Sequence, residues 1–269
     1  MHDESTWRTH SAAVDKDYAQ ASEWYYKAGV QGNVTAQSKL KRIGDRFCFG
    51  RGVDPDVKRA FECYSKSAQC GNLDARSRLG DCYFHGHGVE RDYEQAFGWY
   101  LKSALQGSHE SQHRVGDCFY NGFGVNQDFE KAFEWYYKSA VRGDSNGQHS
   151  VGECYYHGFG VAQDHEKAFE WYFKSAEQGD AKGQCRVGEC YFNGEGVDQN
   201  YAKAVEWYSK SAEQGNEAAQ HNLGMCYYYG KGVAQDRQKG LELLSHSNTY
   251  DGASVEETWR DGSTGGPSV

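Results

Sequence analysis

Thirty-six residues separate each of Cys82, Cys118, Cys154, Cys190 and Cys226 from the next. The same interval runs through Trp99, Trp135, Trp171 and Trp207, and through Gly80, Gly116, Gly152, Gly188 and Gly224. A fixed period of this length means one supersecondary unit copied many times, each copy burying its apolar face against its neighbours. AFEWY recurs from Ala132 and from Ala168, and KSAEQG from Lys174 and from Lys210. Trp24 and Cys48 belong to an earlier copy with three extra residues (about Lys41 to Ile43), since Gly32 to Gly44 spans 12 positions where Gly107 to Gly116 spans 9.

Each copy reads as two helices. Asp17, Asp56, Asp92, Asp128, Asp164 and Asp236, with Asn200 once in their place, stand as N-caps whose side-chain oxygens accept from first-turn amides. Glu94, Glu130 and Glu166 follow in the first turn, where the helix dipole favours an anion. Tyr93, Ala96, Phe97, Tyr100 and Ala104 then line one helical face. Gly107 stops that helix, as Gly71, Gly143, Gly179 and Gly215 stop others. The second helix carries Ser111, Val115, Cys118, Phe119 and Gly122 inward and ends in a G-x-G-V turn. Six such pairs run from about residue 17 to 236. A seventh first helix follows from Arg237 to about His246; Leu241, Leu243 and Leu244 replace its aromatics, as in a terminal cap. Residues 1–16 read as a flexible segment. The Gly- and Ser-rich stretch 248–269 reads as a flexible tail in which Trp259 is the one bulky apolar residue.

Composition narrows the classes. Among 269 residues, 33 glycines and 20 tyrosines accompany only 2 prolines, which excludes collagen-like and disordered chains. Lys plus Arg number 29 against 38 Asp plus Glu, a net charge of -9, where a nucleic-acid surface would be basic. Mean hydropathy is -0.88, and no apolar run approaches the ~18 residues of a membrane span. MHDESTWRTH carries no apolar stretch of the secretory kind. Cytoplasmic placement is the expectation, with neither nucleic acid nor membrane insertion among its partners.

The copy from Ala168 to Asn200, AFEWYFKSAEQGDAKGQCRVGECYFNGEGVDQN, and the ending LGMCYYYGKGV from Leu223 to Val233 resemble Sel1-like repeats. The likeness spans about residues 17 to 247. It implies an all-α fold, an α/α solenoid wound as a right-handed superhelix of about six helix pairs plus a C-terminal capping helix, related to tetratricopeptide arrays and carrying a curved groove. It also implies an adaptor that holds protein partners, as in endoplasmic-reticulum degradation complexes and fungal activators of chitin synthase. Cys63 stands where the family has Trp. A cysteine-rich subset of the family, reported as β-lactamase-like, pairs two cysteines inside each repeat, and that pattern is missing here.

Nine cysteines could suggest a disulfide framework. Six of them, Cys48 through Cys226, are read at one inward position, and neighbouring helices lie ~8–10 Å apart, beyond the ~7 Å limit for a bridge. They read as small apolar thiols in a reducing compartment. His113, His149, Cys185 and His221 share one position in successive second helices; equivalent positions are displaced by one repeat and do not gather on an ion. His85 and His157, with His87 nearby, read as loop polarity. The carboxylate series Asp45, Asp81, Asp117, Glu153 and Glu189 fits a solvated face as well as chemistry. The G-x-G turns follow no strand and precede no Gly-Lys-Ser/Thr, so they read as turns rather than phosphate loops. No catalytic residue, metal site or cofactor is expected, and the chain reads as a non-enzyme.

The binding surface is sought on the concave face that a solenoid's curvature creates, from positions on the first helices. Lys27, Lys66, Lys102, Lys138, Lys174 and Lys210 recur, with Glu23, Glu62, Glu134, Glu170 and Glu206 four residues earlier and Gly98 breaking the series. Such pairs stabilise an exposed helix by ~0.2–0.5 kcal/mol each; alternatively the lysines form a ladder that reads carboxylates on a partner. The Trp series either packs copy on copy or touches a ligand. Two residues beyond each Trp position come Tyr26, Ser65, Leu101, Tyr137, Phe173 and Ser209, a varying position outside the core stripe. Aromatics on rigid helices are good contact points. The expected surface for a protein partner or extended peptide therefore comprises Tyr26, Leu101, Tyr137 and Phe173 with Lys102, Lys138, Lys174, Trp135 and Trp171. Tyr137 and Phe173 would be its centre.

Overall fold

The computed structural model describes the backbone from Glu4 to Ser245 and the side chains from Asp17 onward. The expected tail 248–269, with Trp259, lies outside the described residues, as do the side chains of 1–16. Thirteen helices and no strands make up the described part, an all-α solenoid of repeated helix pairs. The pairs are α1 (Glu4–Val30) with α2 (Val34–Phe49), α3 (Val57–Gln69) with α4 (Leu73–His85), and α5 (Tyr93–Ala104) with α6 (His109–Asn121). Then come α7 (Phe129–Ala140) with α8 (Ser145–His157), α9 (His165–Glu177) with α10 (Ala181–Asn193), and α11 (Tyr201–Glu213) with α12 (Glu217–Tyr229). The last helix is α13 (Arg237–Ser245). The chain forms two compact units: residues up to Gly147 with Phe159–Val161, and Gln148–Gly158 with the residues from Ala162 on.

Caps set the helix starts. Asp92 Oδ1 accepts from the Gln95 amide at 2.9 Å, and Asp56, Asp128, Asp164, Asn200 and Asp236 cap equivalently at 3.0 Å. The second helices have their own caps, Asn33, Asn72, Ser108, Asp144, Asp180 and Asn216, each accepting from the amide three residues on. Asp17 is not a cap: α1 is helical from Glu4, so Asp17 lies inside it. No Gly or Pro occurs before Gly29 to end the helix sooner. The three extra residues of the first copy are helical as well. They give α2 16 residues, nearly one turn more than the 13 of α4.

The turn glycines have a steric reason. Gly124 sits at φ +68, and a Cβ there would lie 2.1 Å from the carbonyl oxygen of Tyr93. Gly196 meets the carbonyl of His165 at 2.0 Å in the same way. From Gly88 on, the second glycine of the G-x-G thus rests on the first turn of that copy's preceding first helix, where no side chain fits, whereas Gly52 has only the Arg46 side chain near it, at 3.9 Å. The turn reading of these motifs holds.

Candidate interaction surface

The core of each unit is a repeated seam of glycine, tyrosine and carboxylate. A Cβ on Gly80 would fall 2.5 Å from the ring of Tyr100, and Gly116 faces Tyr136 equally closely. In the second unit Gly152 receives Tyr172 at 2.5 Å and Gly188 receives Tyr208 at 2.6 Å. Each second helix therefore has a notch filled by the tyrosine of the following first helix. At α12 the notch of Gly224 takes Leu244 of α13, which is buried.

The tyrosine hydroxyls end on the carboxylate series. Tyr64 donates to Asp45 at 3.0 Å, Tyr100 to Asp81 at 2.8 Å, Tyr136 to Asp117 at 2.9 Å and Tyr172 to Glu153 at 2.6 Å. Burial, and then the adjacent carboxylate, raise the pKa of Tyr64, Tyr100 and Tyr172. Arg186 spans two copies of the seam, with Nε 2.8 Å from Glu153 and Nη1 2.8 Å from Glu189. Burial pushes the Glu153 carboxyl up, but Arg186, His149 and the Tyr172 hydroxyl outweigh it and hold the group below the usual carboxylate range. A solvated acidic face, one of the two sequence readings, is thereby replaced by a structural ladder.

The histidine series joins that ladder locally. His113 Nδ1 lies 3.5 Å from Asp117, His149 Nε2 3.7 Å from Glu153, and the thiol of Cys185 3.6 Å from Glu189. Each turns to the carboxylate four residues on in its own helix. Buried serines and glutamines complete the polar interior: Ser103 Oγ donates to the Leu73 carbonyl at 3.1 Å, Ser139 to that of His109 at 2.7 Å, and Ser211 to that of Ala181 at 2.6 Å. Gln112 Nε2 reaches the Ala104 carbonyl at 3.2 Å and Gln184 that of Ala176 at 3.4 Å. Sequence reasoning named none of these serine and glutamine roles, although both residue types recur at the period.

All nine cysteines are free, and seven are buried. Burial pushes the thiols of Cys63, Cys82, Cys118, Cys154, Cys190 and Cys226 up to about 12. Cys48 is only half-buried, and its position differs from the others. Gly44 is equivalent to Gly80, so the residue matching Cys82 is Arg46, two before Cys48. The grouping of six is therefore five, with Arg46 at the equivalent position of α2.

On the first helices the lysines go to the tryptophans. Lys102, Lys138, Lys174 and Lys210 place their ammonium groups 4.1, 4.1, 4.0 and 4.0 Å from the indole centroids of Trp99, Trp135, Trp171 and Trp207, three residues before them. Where Cys63 replaces the indole, Lys66 bonds Glu23 of α1 instead. The lysine series thus follows the aromatic position more closely than the glutamate four residues earlier. Trp99 and Trp207 are half-buried and pack on the core clusters of their units, whereas Trp24 is 72% exposed.

The variable position splits. Tyr137 is 43% exposed and tilts against Phe133 at 6.0 Å. Phe173 is half-buried, its ring edge-on to Trp207 of the next first helix at 5.6 Å. Leu101 is half-buried, and Tyr26 packs on the core of the first unit beneath Lys66. Of the four apolar residues singled out, Tyr137 is exposed, while Tyr26, Leu101 and Phe173 are half-buried. Tyr137 and Phe173 belong to different units.

A helix pair with glycine notches, carboxylate-capped tyrosines and Trp–Lys pairs, repeated at 36 residues, matches a family model. The Sel1 repeat model fits residues 10–33, 41–72, 73–108, 109–144, 145–180, 181–216 and 217–245. The chain belongs to the Sel1-repeat family. Among solved structures, this Sel1-repeat chain is similar to c5321, a protective antigen of uropathogenic Escherichia coli with an SLR fold. The identity is 36% over 84% of this chain and 48% of that one, with a TM-score of 0.73. The chain thus spans about half the length of c5321. It is similar too to a Sel1 repeat protein from Oxalobacter formigenes, at 33% identity over 78% of this chain and 86% of that one, TM-score 0.75. Immunity protein Pa5087 of Pseudomonas aeruginosa shares the fold at 21% identity over 78% of this chain and 80% of that one, TM-score 0.55. No curated protein matches the chain. Among the described residues, no helix is long and apolar enough to cross a membrane.

Proposed function

We propose that this Sel1-repeat protein is a non-enzymatic interaction scaffold that binds a partner protein or an extended peptide on its first helices. The observation that carries the reading is Tyr137, an exposed aromatic on a rigid helix beside the Lys138–Trp135 pair. Rigid amphipathic rings lose little freedom on binding and are enriched where interface energy concentrates. Leu101 and Lys102 extend the surface in the first unit, with Tyr26 at its start. Trp171, Lys174 and Phe173 offer a similar set in the second.

The polar interior supports a binding role over turnover. Burial raises the pKa of Tyr100 and of the Cys118 thiol far above neutrality, and His149 is engaged with Glu153, so these groups are held in the packing and not poised for attack. Un-ionised buried thiols fit a reducing compartment such as the cytoplasm. A regulatory subunit or activator of an enzyme would use the same surface. A β-lactam hydrolase of the cysteine-rich kind is the rival in another class, and turnover of a β-lactam by pure protein would establish it.

The test is affinity capture of a partner from the native host, then titration of that purified partner against wild type and Tyr137→Ala. A loss of about 2 kcal/mol in binding with an unchanged melting point is expected. Unaltered affinity in that variant and in Lys138→Ala would remove this surface from the proposal. Phe173→Ala needs the melting control more, because its ring also packs on Trp207.

A further inference from the structure

One exposed position at the end of each first helix changes character along the chain. Four residues beyond Tyr26, Ser65, Leu101, Tyr137, Phe173 and Ser209 stand Val30, Gln69, Leu105, Val141, Glu177 and Glu213. All six of these are exposed, Leu105 by 70% and Val141 by 57%. Residues four apart share a helical face, so Leu101 with Leu105 and Tyr137 with Val141 form apolar stripes at the ends of α5 and α7. Arg142 Nη1 donates to the Gly107 carbonyl at 2.7 Å and ties those two ends together within the first unit. On α3 the same positions are polar, and Gln69 Nε2 reaches Ser65 Oγ at 3.5 Å.

Charge sets these two stripes apart. Lys102 and Lys138 are exposed and held over their indoles at 4.1 Å, which fixes the ammonium groups without cancelling their charge. The glutamate found four residues before the lysine elsewhere is Gly98 on α5, where an added Cβ would have nothing within 4 Å; α7 keeps it as Glu134. The neighbouring acids are engaged. Asp144 accepts from the Gly147 amide and lies 2.9 Å from His109 Nδ1, and Glu110 acts on Arg78 and Arg114. Lys102, Lys138 and Arg142 therefore outweigh Glu134 here, in a chain of net charge -9. On α9 and α11 the apolar residue is replaced by Glu177 and Glu213, with Glu170 and Glu206 before them.

We propose that the ends of α5 and α7 bind an acidic peptide segment of a partner protein, its apolar side chains on Leu105 and Val141 and its carboxylates on Lys102, Lys138 and Arg142. This rests on the scaffold reading above and names the chemistry of its ligand. Charge complementarity selects the occupant: a basic segment would meet three like charges, and the glutamates of α9 and α11 disfavour an acidic one there. Burial of the two aliphatic side chains supplies affinity, and cations already held in place lose little freedom on binding.

Random-peptide phage display on the full chain, followed by anisotropy titration of a selected peptide, tests this. Selected peptides are expected to combine Asp and Glu with large apolar residues. Leu105→Ser should weaken binding roughly tenfold. Gly98→Glu, which restores the missing carboxylate beside Lys102 in open space, should weaken it roughly threefold without lowering the melting point. Lys231→Ala makes the same change in net charge on the second unit and should leave affinity unaltered. Selected peptides without acidic residues, or acidic peptides whose affinity survives both first-unit changes, would overturn the proposal and leave the scaffold reading standing. Failure to select any peptide would overturn it too; failure of affinity capture as well would remove the scaffold reading with it.

Discussion

At the scale of single residues, the glycine at each notch and the tyrosine twenty residues later form one contact. Gly188→Ala drives a Cβ to 2.6 Å from Tyr208, so the ring or the helix must shift. A loss of about 1–3 kcal/mol in urea unfolding is expected. Gly98 is the counterexample: it is helical, has nothing within 4 Å of an added Cβ, and Gly98→Ala should gain about 0.5–1 kcal/mol. The glycine series was plain in the sequence, but its reason was not, since a period shows which positions recur and not which of them meet in the next copy. The same limit hid the tyrosine–carboxylate bonds. His149 makes a pH prediction. Burial lowers its pKa below the ordinary 6.5, and Arg186 and Lys182 act with burial against the raising influence of Glu153 and Asp180. Above pH 6.5 the imidazole is neutral in both folded and unfolded chains. Below it the unfolded chain binds the proton first, so stability falls as acid is added. His221, lowered by burial, adds in the same direction. Urea midpoints taken from about pH 7 to about pH 5 should fall less steeply for His149→Gln than for wild type.

At the scale of the helix, capping residues and stop glycines made the pair-by-pair plan legible, and the helix lacking aromatics after α12 was read correctly as a further first helix. Asp17 misled because an Asp ahead of an apolar stripe looks like a cap unless the preceding chain is itself helical, and nothing periodic before it signalled that. The extra turn of α2 was visible as a length difference; Cys48 was misplaced in the cysteine series because its alignment was taken from the cysteine and not from Gly44, which sets the 36-residue register. The lysines were read from spacing as partners of the glutamates four residues earlier or of a ligand. Spacing alone does not distinguish a carboxylate four residues back from an indole three back, since both lie on the same helical face. The two are separable by experiment. Lys174→Ala should cost about 0.5–1 kcal/mol of stability through loss of the Trp171 contact. Glu170→Gln should cost much less, and equal effects from the two changes would restore the ion-pair reading.

At the scale of the whole molecule, packing within each unit joins mainly successive helices, with α1 also touching α3. Stability in such an array is a sum of local terms and neighbour interfaces. Gly188→Ala should therefore accelerate amide exchange in α10 and α11 while leaving α3 to α6 at wild-type rates, and uniform acceleration along the chain would contradict it. The proposed binding surface was the least legible part of the sequence, because a ring two residues beyond Trp can be covered by the next copy, as Phe173 is by Trp207. The two glycines of a copy have one more consequence. Within a unit, a notch glycine such as Gly188 accepts a tyrosine from the copy ahead, and a second G-x-G glycine such as Gly196 rests on its own copy's first turn, so successive copies such as these use the same pair of fittings. A cassette such as residues 181–216 can then be duplicated or excised without inventing a new joint, and gene duplication could lengthen or shorten the span available to a bound chain in steps of one copy.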